Sequence, residues 1–144
     1  RDRLRSRGLG DVYKRQVSGI ISDLEESENI HSITMPKDKR RGNFSGIDKS
    51  KADEGVSQGT TIGYDPYKKT DPNGESRTPR VGLSHELRHS YDADKGIMTQ
   101  EETENGVLLI EVRAINTENK IRMKTGDPKR TKYGRREVPK TLLE

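Results

Sequence analysis

Residues 81–91 have the sequence Val-Gly-Leu-Ser-His-Glu-Leu-Arg-His-Ser-Tyr, which contains the pattern His-Glu-x-x-His. Side chains four residues apart lie on one face of an α-helix, one turn from each other. If this stretch is helical, His85 and His89 can present two imidazole nitrogens to a single metal ion. Glu86 follows the first histidine, so its carboxylate lies beside the open coordination position.

A carboxylate in that place can take a proton from metal-bound water, and the arrangement is typical of zinc metalloproteases. The alternative is two surface histidines on an ordinary amphipathic helix. The pattern arises by chance in roughly one chain of this length in a hundred. The flanking residues are therefore needed to distinguish a metal site from two surface histidines.

The flanking residues favour a helix. Thr78 can cap it, Pro79 suits its first position because it lacks an N–H, and Gly96 can close its far end. These limits predict a helix of about 17 residues. Apolar side chains four residues apart predict a buried stripe along it: Leu83, Leu87 and Tyr91.

The composition limits both the core and the metal chemistry. Hydrophobic residues make up 26% of the 144 residues, aromatic residues 4% and charged residues 36%, which predicts a small core with long polar loops. Cysteine is absent, so only His, Asp and Glu can ligate a metal. No apolar run is long enough for a membrane span, and no signal peptide is visible.

The first 16 residues are predicted to lie outside the fold. Residues 11–16, Asp-Val-Tyr-Lys-Arg-Gln, are the translation of GAT GTG TAT AAG AGA CAG, which resembles the transposase end sequence used in DNA library preparation. Removing residues 1–16 takes six of the 28 basic and two of the 24 acidic residues and leaves 22 of each. The formal charge of +4 therefore gives no support to nucleic-acid binding. We expect residues 17–144 to form one domain, as the fragment of a longer protein.

Two short strands are predicted before the helix. Residues 30–35 have the pattern of a half-buried strand, with His31 facing solvent, and residues 60–64 are β-branched and aromatic. By analogy with metalloproteases that have this motif, the second of these is expected to supply an edge along which an extended peptide can pair. Residues 37–59 are predicted to be a long loop, and the basic tail after residue 128 is predicted to be irregular.

A catalytic zinc needs a third protein ligand, which must come from elsewhere in the chain. Helical spacing from about Ile110 to a stop at residues 126–128 predicts a second helix. Glu111 on that helix is the first choice for the ligand. Glu118 is the rival, although Arg122 four residues later favours an ion pair for it. Asp92, one turn beyond the second histidine, is the weakest candidate.

Tyr133 is a candidate catalytic residue in the tail. A Pro-containing turn before it can fold the tail back across the cleft, where the phenol could donate a hydrogen bond to the oxyanion formed on the scissile carbonyl. The alternative is a tyrosine that packs over a small core.

Together these features resemble the HExxH effector and toxin metalloproteases, which are bacterial secreted-effector proteases and the related C-terminal toxin domains of Rhs-repeat proteins. The resemblance covers residues 29–134. Its motifs, in chain order, are residues 59–66, 81–92 and 111–122, followed by Pro128, Arg130 and Tyr133.

The resemblance implies a small zincin-like α+β fold and a zinc-dependent endopeptidase. It implies that His85 and His89 bind Zn²⁺ with Glu111 as third ligand, and that Glu86 is the catalytic carboxylate. The expected partners are a protein substrate in a target cell and a cognate immunity protein, with the domain secreted or delivered into that cell. Nucleic acid is not expected as a partner.

Two other functions are compatible with the sequence. The domain could be a non-catalytic or degraded copy that binds a metal or a partner. A nuclease toxin is the weaker option, because the net positive charge disappears when the predicted adapter is removed.

Overall fold

The computed structural model describes residues 17–38, 40 and 42–144. The predicted adapter, residues 1–16, lies outside the described residues. The fold is α+β, as expected, with four α-helices and two small sheets in the described part of the chain. In chain order the elements are α1 (residues 17–26), β1 (His31–Thr34), β2 (Phe44–Gly46), α2 (Lys49–Asp53), β3 (Thr60–Gly63), α3 (Pro79–Asp94), α4 (Leu109–Thr125), β4 (Lys132–Tyr133), β5 (Arg136–Glu137) and a 3₁₀ turn (Lys140–Leu142).

The two long helices begin and end close to where the sequence predicts. Helix α3 begins at Pro79 after Thr78, and Gly96 follows its end with a φ of +72°. Helix α4 ends at Gly126, whose left-handed conformation (φ +79°) lets its N–H bond to the Arg122 carbonyl. Helices α3 and α4 pack directly against each other, and most of α3 is buried.

The three-stranded sheet has the order β1-β3-β2, with β1 parallel and β2 antiparallel to β3. Strand β3 is therefore central, and the expectation that it supplies an edge is wrong. Strand β2 is one of the two outer strands, and it also packs against α3. The Phe44 ring lies over Gly63, where a β-carbon would approach within 2.1 Å of it.

Three further expectations are corrected by tertiary contacts. Residues 37–59 contain β2 and α2 rather than one long loop, and Asp48 caps α2 through its side chain. The His31 side chain is only 7% exposed, because its ring is held between Asp94 (3.0 Å) and Thr60 (2.9 Å). The tail forms the β4–β5 hairpin, and Arg130 before it is buried.

The apolar core is small, as the composition predicts. In the part of the chain that the structure describes, it contains three separate clusters, and α4 contributes to each of them through Ile110, Ile115 or Ile121. Much of the remaining interior is polar or charged, and Glu118 and Arg122 are completely buried. Among the described residues, no helix is long and apolar enough to cross a membrane.

Candidate metal centre

Three side chains from α3 and α4 converge at one buried point. The His85 Nε2 atom lies 3.0 Å from one Glu111 carboxylate oxygen, and the His89 Nε2 atom lies 3.1 Å from the other. The two Nε2 atoms are 3.2 Å apart. All three residues are buried, and their donor atoms lie within 4.8 Å of one another.

These separations fit a tetrahedral zinc ion. Zinc bonds of about 2.0 Å at tetrahedral angles place neighbouring donor atoms about 3.3 Å apart. Two imidazole nitrogens that face each other at 3.2 Å need a cation or a proton between them, because two lone pairs repel. Of the three candidate third ligands, Glu111 is the one whose carboxylate contacts both histidines.

The other two carboxylates have different partners. Asp92 is fully buried between Arg88 (3.0 Å) and Arg113 (2.8 Å), away from the histidines. Glu118 accepts a hydrogen bond from His85 Nδ1 at 2.9 Å. That bond keeps a proton on Nδ1, so a metal ion would bind His85 through Nε2, in the orientation that carboxylates give to many zinc-binding histidines.

The charges around the centre favour a cation. Burial would lower the pKa of His85, but hydrogen bonds to Glu111 and Glu118 outweigh burial and raise it to about 10. Burial would raise the pKa of both carboxyl groups, yet their hydrogen bonds with His85 hold each pKa well below its usual range. Positive charge is therefore stabilised at the point where a divalent ion would lie.

Glu86 lies on α3 next to the first histidine and is 7% exposed. Its Oε2 atom accepts a hydrogen bond of 2.6 Å from the Ser45 hydroxyl on β2. Burial is the main cause of the raised pKa of Tyr133, and the Glu86 charge is a smaller cause of the same shift.

Tyr133 on β4 reaches the same place from the tail. Burial, the Glu111 charge and a hydrogen bond to Glu111 raise the pKa of Tyr133 to about 12. The Arg130 guanidinium lies 5.7 Å from its ring centroid. At neutral pH the phenol keeps its proton and is a hydrogen-bond donor, and 40% of the residue remains exposed.

Sequence reasoning identified only some of the contacts around the site. Arg77, Arg122 and Arg130 surround Glu118, and Ser45 contacts Glu86. Arg122 was predicted from sequence, because a basic residue four positions after a glutamate on a helix indicates an ion pair. The other contacts join distant segments, so no spacing in the sequence indicates them.

A family model described as Peptidase_M91, effector protein, matches residues 14–108, about two thirds of the chain. The matched range contains the three-stranded sheet and α3, with His85, Glu86 and His89, and it ends before α4. Searches of curated proteins and of solved structures gave no match.

Proposed function

Since the chain belongs to the Peptidase_M91 effector protein family, we propose that it is a zinc-dependent endopeptidase with a zincin-like site. The observation that carries the proposal is the buried convergence of His85, His89 and Glu111, with Glu86 adjacent in sequence to the first ligand. Hydrolysis of peptide bonds in a protein substrate is the reaction that this residue set supports best.

His85, His89 and Glu111 would hold the ion, which when bound makes a water molecule acidic and polarises the scissile carbonyl. Glu86 accepts the proton of the attacking water and returns it to the leaving amine nitrogen. Tyr133 donates a hydrogen bond from its phenol to the developing oxyanion. Glu118 holds His85 in the tautomer that would bind the metal.

The substrate is proposed to bind as an extended segment beside β2. This strand is one of the two outer strands of the three-stranded sheet and packs against α3, and its Ser45 contacts the proposed catalytic carboxylate. Main-chain hydrogen bonds to such a strand can hold a peptide in extended form. As an effector, the domain is proposed to be delivered into a target cell, and a cognate immunity protein would protect the producer.

The test measures the turnover of a mixture of internally quenched peptides by the zinc-loaded wild-type protein and by the zinc-loaded Glu86→Gln variant. Glu86→Gln should keep its zinc and lose roughly 10²- to 10⁴-fold in turnover, because general-base catalysis contributes that much. Glu101→Gln, an exposed acid in the loop before α4, is the matched control and should remain fully active.

Unchanged turnover in Glu86→Gln would contradict the proposed mechanism. Zinc binding by the wild-type protein without hydrolysis of any peptide would instead support the non-catalytic alternative.

A further inference from the structure

Ser45 is the residue on the sheet that contacts Glu86. Its hydroxyl lies 2.6 Å from Glu86 Oε2 and 3.3 Å from the Glu86 carbonyl oxygen. A serine hydroxyl has one proton to donate. The shorter contact, to a charged acceptor, is the stronger of the two, so the bond to the carboxylate is the one that forms.

The position of Ser45 is fixed by the strand that carries it. Strand β2 pairs Ser45 with Ile62 of β3, and Ile62 is 1% exposed. Side chains of directly paired residues lie on the same face of a sheet. Ser45 therefore lies on the face that packs against α3, where Glu86 is located.

The register of β2 is enforced on both sides of Ser45. Phe44 lies over Gly63, where any β-carbon would collide with its ring. Further along, the Gln58 side chain binds both the N–H (2.7 Å) and the carbonyl (3.0 Å) of Asp48. A slip by one residue would turn Ser45 to the opposite face of the sheet, and these contacts prevent it.

We propose that Ser45 is a positioning residue that holds the Glu86 carboxylate in its catalytic orientation. This inference rests on the proposed function. A glutamate side chain has three rotatable bonds, and a fixed hydrogen bond to Oε2 restricts them while Oε1 remains to accept the proton of water. Ser45 acts through Glu86 and does not itself touch the reacting atoms.

The test is a double-mutant cycle on the zinc-loaded full chain with the same quenched-peptide mixture. Ser45→Ala should lower kcat about 10- to 100-fold with KM within twofold, because a misplacement of about 1 Å can cost this much. Ser45→Thr keeps the hydroxyl and should restore most of the rate. In a Glu86→Gln background, Ser45→Ala should change turnover by less than twofold, since the carboxylate it positions is gone.

Two measurements separate positioning from a general structural role. Crystal structures should show the Glu86 carboxylate in one position in Ser45→Thr and in several positions in Ser45→Ala. Ser32→Ala on β1 is the matched control for removing a hydroxyl from the same sheet and should leave kcat unchanged. If Ser45→Ala does not fold, Ser45→Cys, with similar volume and a weaker donor, replaces it with the same expected loss.

The same loss from Ser45→Ala in both backgrounds would overturn the proposal, because the effect would then not depend on the carboxylate. So would wild-type activity of Ser45→Ala beside an inactive Glu86→Gln, a result that leaves the peptidase function intact. Full activity of Glu86→Gln would overturn the function and the positioning role together.

Discussion

Glu118 is completely buried and is contacted by one histidine and three arginines. Its carboxylate lies 2.9 Å from His85 Nδ1, 2.8 Å from Arg122, 3.1 Å from Arg130 and 3.5 Å from Arg77. A buried carboxylate needs such partners because removal from water costs several kcal/mol. Glu118 thus joins α4, the tail and the segment before α3 behind His85.

We predict that Glu118→Gln lowers stability and metal affinity together. Removing one partner of a buried ion pair costs about 3–5 kcal/mol. Loss of a carboxylate behind a metal-binding histidine weakens metal binding about 10- to 100-fold. Urea unfolding and zinc titration against a chelator measure the two effects.

Asp92→Asn is the matched control for Glu118→Gln. Asp92 is also fully buried and bonded to two arginines, but it does not contact His85 or His89. This variant should lose stability and keep its zinc affinity. Equal zinc affinity in the two variants would mean that Glu118 has no role in holding His85.

Tyr133→Phe tests the proposed oxyanion donor. The substitution keeps the ring and removes only the hydroxyl, so kcat should fall at least about 10-fold with KM and the melting temperature little changed. Tyr67→Phe is the control, because Tyr67 is 79% exposed. Activity of Tyr133→Phe within twofold of wild type would indicate that Tyr133 only packs over the cleft.

At the scale of elements, helices α3 and α4 were predictable from sequence because their signals are local. Pro79 marks the start of α3, and Gly126 marks the end of α4. Strand β2 and the tail were not predictable, because Phe44 on Gly63 and Arg130 on Glu118 are contacts between distant segments. Polar residues that fold against a polar interior have no hydrophobic pattern to reveal them.

The last residue of α3 joins the helix to β1. Asp94 accepts hydrogen bonds from Ser27, from Asn29 (3.0 Å) and from His31 (3.0 Å). Burial would raise the pKa of Asp94, but these hydrogen bonds outweigh burial and lower it. A carboxyl group whose pKa is lower in the folded state contributes stability above its unfolded pKa and loses that contribution as pH falls toward the folded value.

We therefore predict a pH-dependent effect of Asp94→Asn. At pH 7 the free energy of unfolding should fall by about 1–3 kcal/mol, the usual contribution of hydrogen bonds to a charged group. The difference from wild type should shrink as pH falls below about 4, because the Asp94 carboxyl group of the unfolded wild-type chain is protonated there before that of the folded chain. Urea unfolding of both proteins between pH 7 and pH 3 measures this difference. A difference that is independent of pH would contradict a stabilising role of the ionised Asp94 carboxylate.

At the scale of the whole molecule, the candidate metal centre lies where α3 and α4 meet. His85 and His89 come from α3 and Glu111 from α4, while the apolar clusters around them are small. An ion bound only by the folded chain adds stability that grows with its free concentration. Sequence alone predicted the three side chains that converge here, because the two histidines lie in one motif and Glu111 lies on the next helix.

We expect one zinc ion to be bound by His85, His89 and Glu111. The most direct measurement is the metal content of the purified protein by mass spectrometry. The purified chain should contain one zinc per molecule, and a chain that begins at Val17 should contain the same amount. His85→Ala and His89→Ala should lose the metal, and Glu111→Ala should bind it far more weakly. Stoichiometric zinc in both histidine variants, or zinc retained by Glu111→Ala and lost from Glu118→Gln, would contradict the account.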